Sequence, residues 1–183
     1  MAARSLSWLT VLLSLLIAPA QAQQSSVPAA AKDYRLGVDD RVRVTVFGEP
    51  SLSNEYPIAP NGAIALPLIG EVPASGKTIP ELTADVRTRL ADGFIKDPNV
   101  SMVIVTFRPF SILGEVSKPG AYPYRDGMTV LGAVATAEGF TYRAQKKYVF
   151  LKHEGEEEEI RVPLTATLTI RPGDTIRIGE RYF

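Results

Sequence analysis

Five side chains in this sequence are well suited to holding a polar partner: Tyr122, Tyr124, Phe140, Tyr142 and Arg143. Aromatic faces and a planar guanidinium are common means of gripping a sugar ring or a partner's loop. The rival reading is that two or three of them simply close a small core. Bond-breaking chemistry has less to draw on. The only histidine is His153, and cysteine is absent, so a zinc site or a nucleophile–histidine pair lacks its residues. The motifs G-x-S-x-G, H-E-x-x-H and G-x-x-x-x-G-K-[ST] do not occur. Carboxylates are plentiful, but no spacing marks two of them as a glycosidase pair. The expectation is no catalytic residue, no metal and no cofactor.

Two aspartates recur in one design. Gly37–Val44 and Arg171–Ile178 each run from a turn through an aspartate into alternating aliphatic and basic residues, with Asp40 and Asp174 at equivalent places and Gly173 in the second turn. A short carboxylate there can accept backbone N–H groups at the turn that opens a strand. Ligand or metal binding is the alternative, but hard cations need several convergent oxygens and only Asp39 stands beside Asp40. Glu156–Glu159 reads as a solvated hairpin arm whose charge discourages edge pairing. Calcium capture or docking to a basic partner are its alternatives. His153 reads as part of an exposed hairpin turn between Tyr148–Lys152 and Ile160–Val162.

The elements that must position these residues follow from periodicity. Val42, Val44 and Val46 alternate with Arg41, Arg43 and Thr45, which argues for a strand with one buried face. Asn61-Gly62 between Ile58-Ala59 and Ile64–Leu68 is a hairpin signal, and Pro67 belongs at an edge or bulge. Thr78-Ile79-Pro80-Glu81 is a capping box for a helix with the stripe Ile79, Leu82, Val86, Leu90, an Asp85–Arg89 pair and a stop at Gly93. Val100–Phe107 is apolar on both faces apart from Ser101 and Thr106, the pattern of a central strand.

Farther on, Ile112, Leu113 and Val116 begin as a strand that breaks at Lys118-Pro119-Gly120. Pro119 presets φ, and Gly120 would supply φ > 0 in a type II turn. Tyr122-Pro123-Tyr124 is extended and edge-like. Thr129 can N-cap a helix with Val130, Leu131, Val134 and Ala135 on one face, and Gly139 fits the left-handed residue that ends it.

The composition, 45% hydrophobic and 22% charged, is that of a folded chain. Arg4 followed by the apolar run Trp8–Ala18 and by Ala20-Gln21-Ala22 reads as a cleaved signal peptide over residues 1–22, the run being shorter than the roughly 20 residues a bilayer span needs. A retained anchor is the alternative. Removing Arg4 leaves 19 basic residues of the original 20, against 20 acidic, and nothing in that balance points to nucleic acid. Without cysteine the mature chain is neither disulfide-bonded nor lipidated on cysteine. Residues 23–32 read as a flexible leader.

Set in order, these landmarks resemble a known family. Tyr34, Leu36, Gly37, Asp40, Gly48-Glu49, Pro60, Gly62, Ile64, Leu66-Pro67, Ile69-Gly70, Asp97-Pro98 and Val100 occupy the pattern of the polysaccharide-export domain. Gly114-Glu115-Val116, Pro119-Gly120-Ala121-Tyr122 and Gly139-Phe140-Thr141 resemble the soluble-ligand-binding β-grasp repeat (SLBB) of the same proteins. The resemblance implies an α+β fold of two small lobes, a polysaccharide-export domain over 33–107 and a β-grasp-like SLBB domain over 108–183. It implies a non-enzymatic, periplasmic component associated with the outer membrane in a capsule or exopolysaccharide export machine. Such a component forms homo-oligomeric rings that pass exported polysaccharide from an inner-membrane co-polymerase to the surface. The chain shows one such repeat, no lipid-anchor cysteine and no amphipathic C-terminal helix before Phe183, so a separate outer-membrane β-barrel is an expected partner. Tyr182-Phe183 would pin the last strand or meet a neighbouring subunit. A monomeric glycan-binding module and a polysaccharide hydrolase or lyase are the alternatives.

Overall fold

The computed structural model describes residues 34–181, so the signal peptide, the leader and Tyr182-Phe183 lie outside the described residues. The elements are β1 (Arg41–Val46), a 3-10 turn (Pro50–Leu52), β2 (Asn54–Pro57), β3 (Ala63–Leu66), β4 (Gly70–Pro73), α1 (Ile79–Ala91) and β5 (Val100–Thr106). They continue with β6 (Phe110–Gly114), β7 (Gly120–Tyr122), α2 (Val130–Thr136), β8 (Tyr148–Lys152), β9 (Ile160–Pro163) and β10 (Thr175–Ile178). The class is α+β.

Two separate apolar clusters form. The first gathers Leu36, Val42, Val44, Val46, Ile64 and Leu66 with Leu82, Val86 and Leu90 of α1. The second gathers Phe110, Ile112, Val149, Leu151, Ile176 and Ile178 with Val130, Ala133 and Val134 of α2. In each case a helix covers one face of a sheet, which is how a strand of period two and a helix of period 3.6 bury their apolar sides together.

In the first cluster β1 has the expected alternation, with its valines buried and Arg41, Arg43 and Thr45 outside. The sheet order is β2-β1-β5, so β1 is central and β5 is an edge, against the expectation from its composition. One face of the strand is also open, with Val103 and Val105 52% and 39% exposed. These valines suit an open pleated face by their β-branching rather than by burial. Asn61-Gly62 does turn the chain, with Gly62 N–H donating to Ala59 O (2.8 Å) and Ala59 N–H to Ala63 O (2.9 Å). No ladder follows, because β2 pairs with β1 while β3 pairs with β4, and Pro67 lies in the turn joining β3 to β4. Helix α1 carries the expected capping box at Thr78 and Glu81. Asp85 does not pair with Arg89. It pairs with Lys77, and Arg89 instead donates to Glu71 O (2.8 Å).

In the second cluster the order is β7-β6-β10-β8-β9, with β6 and β10 parallel and the other pairs antiparallel. The edge position expected at Tyr122-Pro123 holds, since β7 is an outer strand. Thr129 caps α2, its hydroxyl accepting from Gly132 N–H (3.1 Å). The buried face is Val130, Ala133 and Val134, while two members of the expected stripe, Leu131 (38%) and Ala135, are exposed. Gly139 has φ 90° as expected, and Glu138 before it is also left-handed.

The Pro119-Gly120 reading needs correction. Gly120 is the first residue of β7, paired with Ile112, and its φ is not positive. The glycine that the strand pair requires is Gly114, with φ +84°. A Cβ there would overlap the carbonyl oxygen of Ile178 and lie 3.0 Å from its carbonyl carbon. Gly114 is where β6 leaves the sheet, and only a residue without Cβ fits against β10 at that point.

Candidate functional site

The two aspartates are the only buried charged or polar residues among those described, Asp40 at 0% and Asp174 at 1% exposure. Their local geometry is the same. Asp40 Oδ2 accepts Gly37 N–H (2.8 Å) and Asp174 Oδ2 accepts Arg171 N–H (2.8 Å). Each returns its own N–H to the carbonyl three residues back, Asp40 to Gly37 and Asp174 to Arg171, both at 3.2 Å. The residue before each is left-handed, Asp39 with φ 70° and Gly173 with φ 83°. The turn reading is thereby accounted for in backbone hydrogen bonds. No group of acidic residues or histidine among the described residues is arranged to hold a metal ion.

What the sequence left unnoticed is Arg108, which lies between these two turns. Its N–H donates to Asp40 Oδ1 (2.7 Å), its Nη1 to Asp40 Oδ2 (3.5 Å) and its Nε to Pro172 O (3.3 Å), and it forms an ion pair with Glu154. Two glycines leave room for it. A Cβ on Gly37 would overlap the Arg108 guanidinium, and one on Gly173 would sit 2.8 Å from Arg108 Nε. Around the arginine runs an aromatic series. Tyr34 meets Phe107 edge to face at 5.2 Å, and Phe107 meets Tyr124 likewise at 5.4 Å. Arg108 stands 5.7 Å from the Tyr34 ring centre. One residue from the connector thus joins the turn before β1 to the turn before β10.

The junction is saturated with hydrogen bonds. Tyr34 donates its hydroxyl to Asp40 Oδ2 (2.6 Å), and burial, reinforced by that carboxylate, pushes the phenol well above its usual range. His153 is not a free turn residue as expected. Its Nδ1 lies 2.9 Å from Asp174 Oδ1, and its side chain is only 19% exposed. A carboxylate that already accepts this many donors is poorly placed to move a proton or attack a sugar. The arrangement is a clamp.

The five expected binding residues do not converge. Tyr122 stacks on Phe110 at 6.0 Å and donates its hydroxyl to Lys118 O (2.7 Å), and Tyr124 packs at the junction, where burial raises its phenol. Phe140 bridges to Val116 and carries Lys146 Nζ 5.5 Å from its ring centre. These three pack against the second core. Tyr142 is 88% exposed, and Arg143 beside it pairs with Glu180, whose charge raises the guanidinium above its ordinary value. On the first sheet, Arg41, Arg43, Thr45, Asn54 and Glu55 line a shallow hollow of about 350 Å³, with Arg43 held by Glu55 at 2.6 Å. No helix among the described residues is long and apolar enough to cross a membrane.

The sequence that builds these two clusters is matched by two known families. Residues 28–105 match the profile described as polysaccharide biosynthesis/export protein, and residues 109–162 match that of the SLBB domain. The chain belongs to the polysaccharide export family and carries an SLBB domain. Among curated proteins, the exopolysaccharide production protein ExoF of Rhizobium meliloti (strain 1021) is 33% identical over 169 residues, which covers 84% of this chain and 40% of ExoF. The chain therefore spans less than half the length of that relative.

Proposed function

We propose that this protein is a non-catalytic, periplasmic part of an exopolysaccharide export machine, built into a ring or conduit of identical subunits. That conduit would accept polymer from an inner-membrane co-polymerase and pass it to an outer-membrane partner. The observation that carries this reading is the Arg108 clamp. Arg108 ties buried Asp40 of the first lobe to Pro172 and Glu154 of the second, while the other buried carboxylate, Asp174, is occupied by the only histidine and a backbone N–H within the second lobe. A subunit that must keep its shape while polymer passes benefits from such an arrangement, whereas an enzyme would need one of those groups free. In this reading the two lobes divide at Phe107-Arg108, and exposed Tyr142 is a contact for a neighbouring subunit or for polymer.

Deletion of the gene tests the reading. Secretion of polymer should stop while lipid-linked repeat units are still made, and native mass measurement should find the exported protein as an oligomer, alone or with the co-polymerase. Purified protein that released reducing sugar from its polymer, with the release lost in a carboxylate-to-amide variant, would replace export by hydrolysis.

A further inference from the structure

The outward face of the five-stranded sheet carries two stacked pairs of nearly equal design. Strand β8 turns Val149 and Leu151 into the core and Tyr148, Phe150 and Lys152 to the other side. The rings of Tyr148 and Phe150 meet edge to face at 5.6 Å. Phe150 is in register with Arg161 of β9 on one side and Arg177 of β10 on the other. The Arg177 guanidinium lies 3.9 Å from the Phe150 ring centre, and that of Arg161 lies 3.6 Å from the Tyr148 ring centre.

The pairs differ in one respect. Arg177 also grips the Glu159 carboxylate through Nε (3.1 and 3.0 Å) and Nη2 (2.5 Å). Arg161 is exposed, and no carboxylate among the described residues lies within ion-pair distance of it. Stacking occupies the flat face of a guanidinium and leaves its rim of N–H donors in a fork that matches a carboxylate. The Arg177 pair thus displays, within the same sheet, the group that the Arg161 pair lacks.

We propose that Arg161, held flat by Tyr148, is a binding subsite for a carboxylate carried by an acidic glycan of the uronic-acid class. The proposal rests on the polysaccharide-handling reading and names a substrate class for it. Charge favours an anion, since Lys152, Arg161 and Arg177 outnumber Glu159 on this face. Arg161 stacks on Tyr148 although it is in register with Phe150, so it leans away from the acidic loop at the other end of the hairpin. Half-buried aromatic rings beside the fork offer an apolar surface to the C–H face of a sugar. The row Leu113, Arg177, Phe150, Arg161 crosses four strands, or about 14 Å at the usual strand spacing, which suits an extended oligosaccharide better than a single small anion.

The test is calorimetric titration of the purified full chain at low salt with tetragalacturonate and with its methyl ester. The acid should bind, and the neutral ester should bind at least tenfold more weakly. Arg161→Lys keeps the charge and loses the fork, and Tyr148→Leu loses the stack. Each should weaken the acid at least fivefold while leaving the melting temperature unchanged. Equal binding of acid and ester, or wild-type affinity in Arg161→Lys, would overturn the subsite. So would an absence of binding, or displacement of the glycan by a polyglutamate peptide at lower concentration. None of those results bears on whether deletion of the gene blocks secretion, so the export reading stands or falls separately.

Discussion

Replacing Gly114 by alanine should be among the most damaging single-methyl changes in the second lobe. Gly114 has φ +84°, where a residue with a Cβ is strained by roughly 1–3 kcal/mol. The added Cβ would also overlap the Ile178 carbonyl at the last paired position of β6 and β10. Relieving that overlap moves the strands apart and strips the Glu115 N–H of its bond to Ile178 O, now 3.0 Å, a loss of about 0.5–1.5 kcal/mol. The combined cost is about 1.5–4.5 kcal/mol. For a chain of this size, that corresponds to a fall in melting temperature of roughly 3–18 °C. The control is Gly120→Ala. That site is extended, and a Cβ there would meet only the Tyr122 ring at 3.8 Å, an ordinary contact. Its melting temperature should stay near that of the parent or rise slightly through the reduced freedom of the unfolded chain. Thermal unfolding followed by circular dichroism reads both. A Gly114→Ala protein melting within about 2 °C of the parent, or a Gly120→Ala protein as unstable as it, would refute the account of the β6–β10 edge.

Other expectations follow from the junction and the outer sheet face. Asp40→Ala should cost about 3–5 kcal/mol in urea denaturation, because it leaves the Gly37 and Arg108 N–H groups and the Tyr34 hydroxyl without their acceptor, while the Arg108 guanidinium keeps Glu154 and Pro172 O. His153→Ala should cost about 1–3 kcal/mol through the Asp174 carboxylate it abandons, whereas exposed Glu157→Ala should change stability by less than about 0.5 kcal/mol; equal denaturation midpoints would remove His153 from the clamp. Glu159 is held below the usual carboxylate range by the hydrogen bonds from Arg177. A depressed folded value stabilises above the ordinary carboxylate value of 4.5 and is lost as pH falls through the folded one. The stability gap between parent and Glu159→Gln should therefore be present at neutral pH and close in acid, and a gap that widened in acid would be the wrong sign.

The local elements were legible because each has a local cause. The capping box at Thr78, the valine alternation of β1, the Thr129 cap, the left-handed Gly139 and the twinned aspartate turns depend on residues within a few positions of one another. The family, too, could be read from short motifs in order. Other features were decided only when distant segments met. That β5 is an edge depends on which strands flank β1, and a run of valines reads the same with one open face or none. That Gly114 rather than Gly120 needs to be glycine depends on how closely β10, some sixty residues later, approaches it. His153 looked solvent-facing because its neighbours are polar, and only the return of the chain at Asp174 gave it a partner. Arg108 shows the limit most clearly. Nothing in its neighbourhood distinguishes it from other basic residues, because its partners at Asp40, Glu154 and Pro172 are each more than forty positions away. A guanidinium's reach spans space rather than sequence, and the folding of two lobes around one connector placed those partners together.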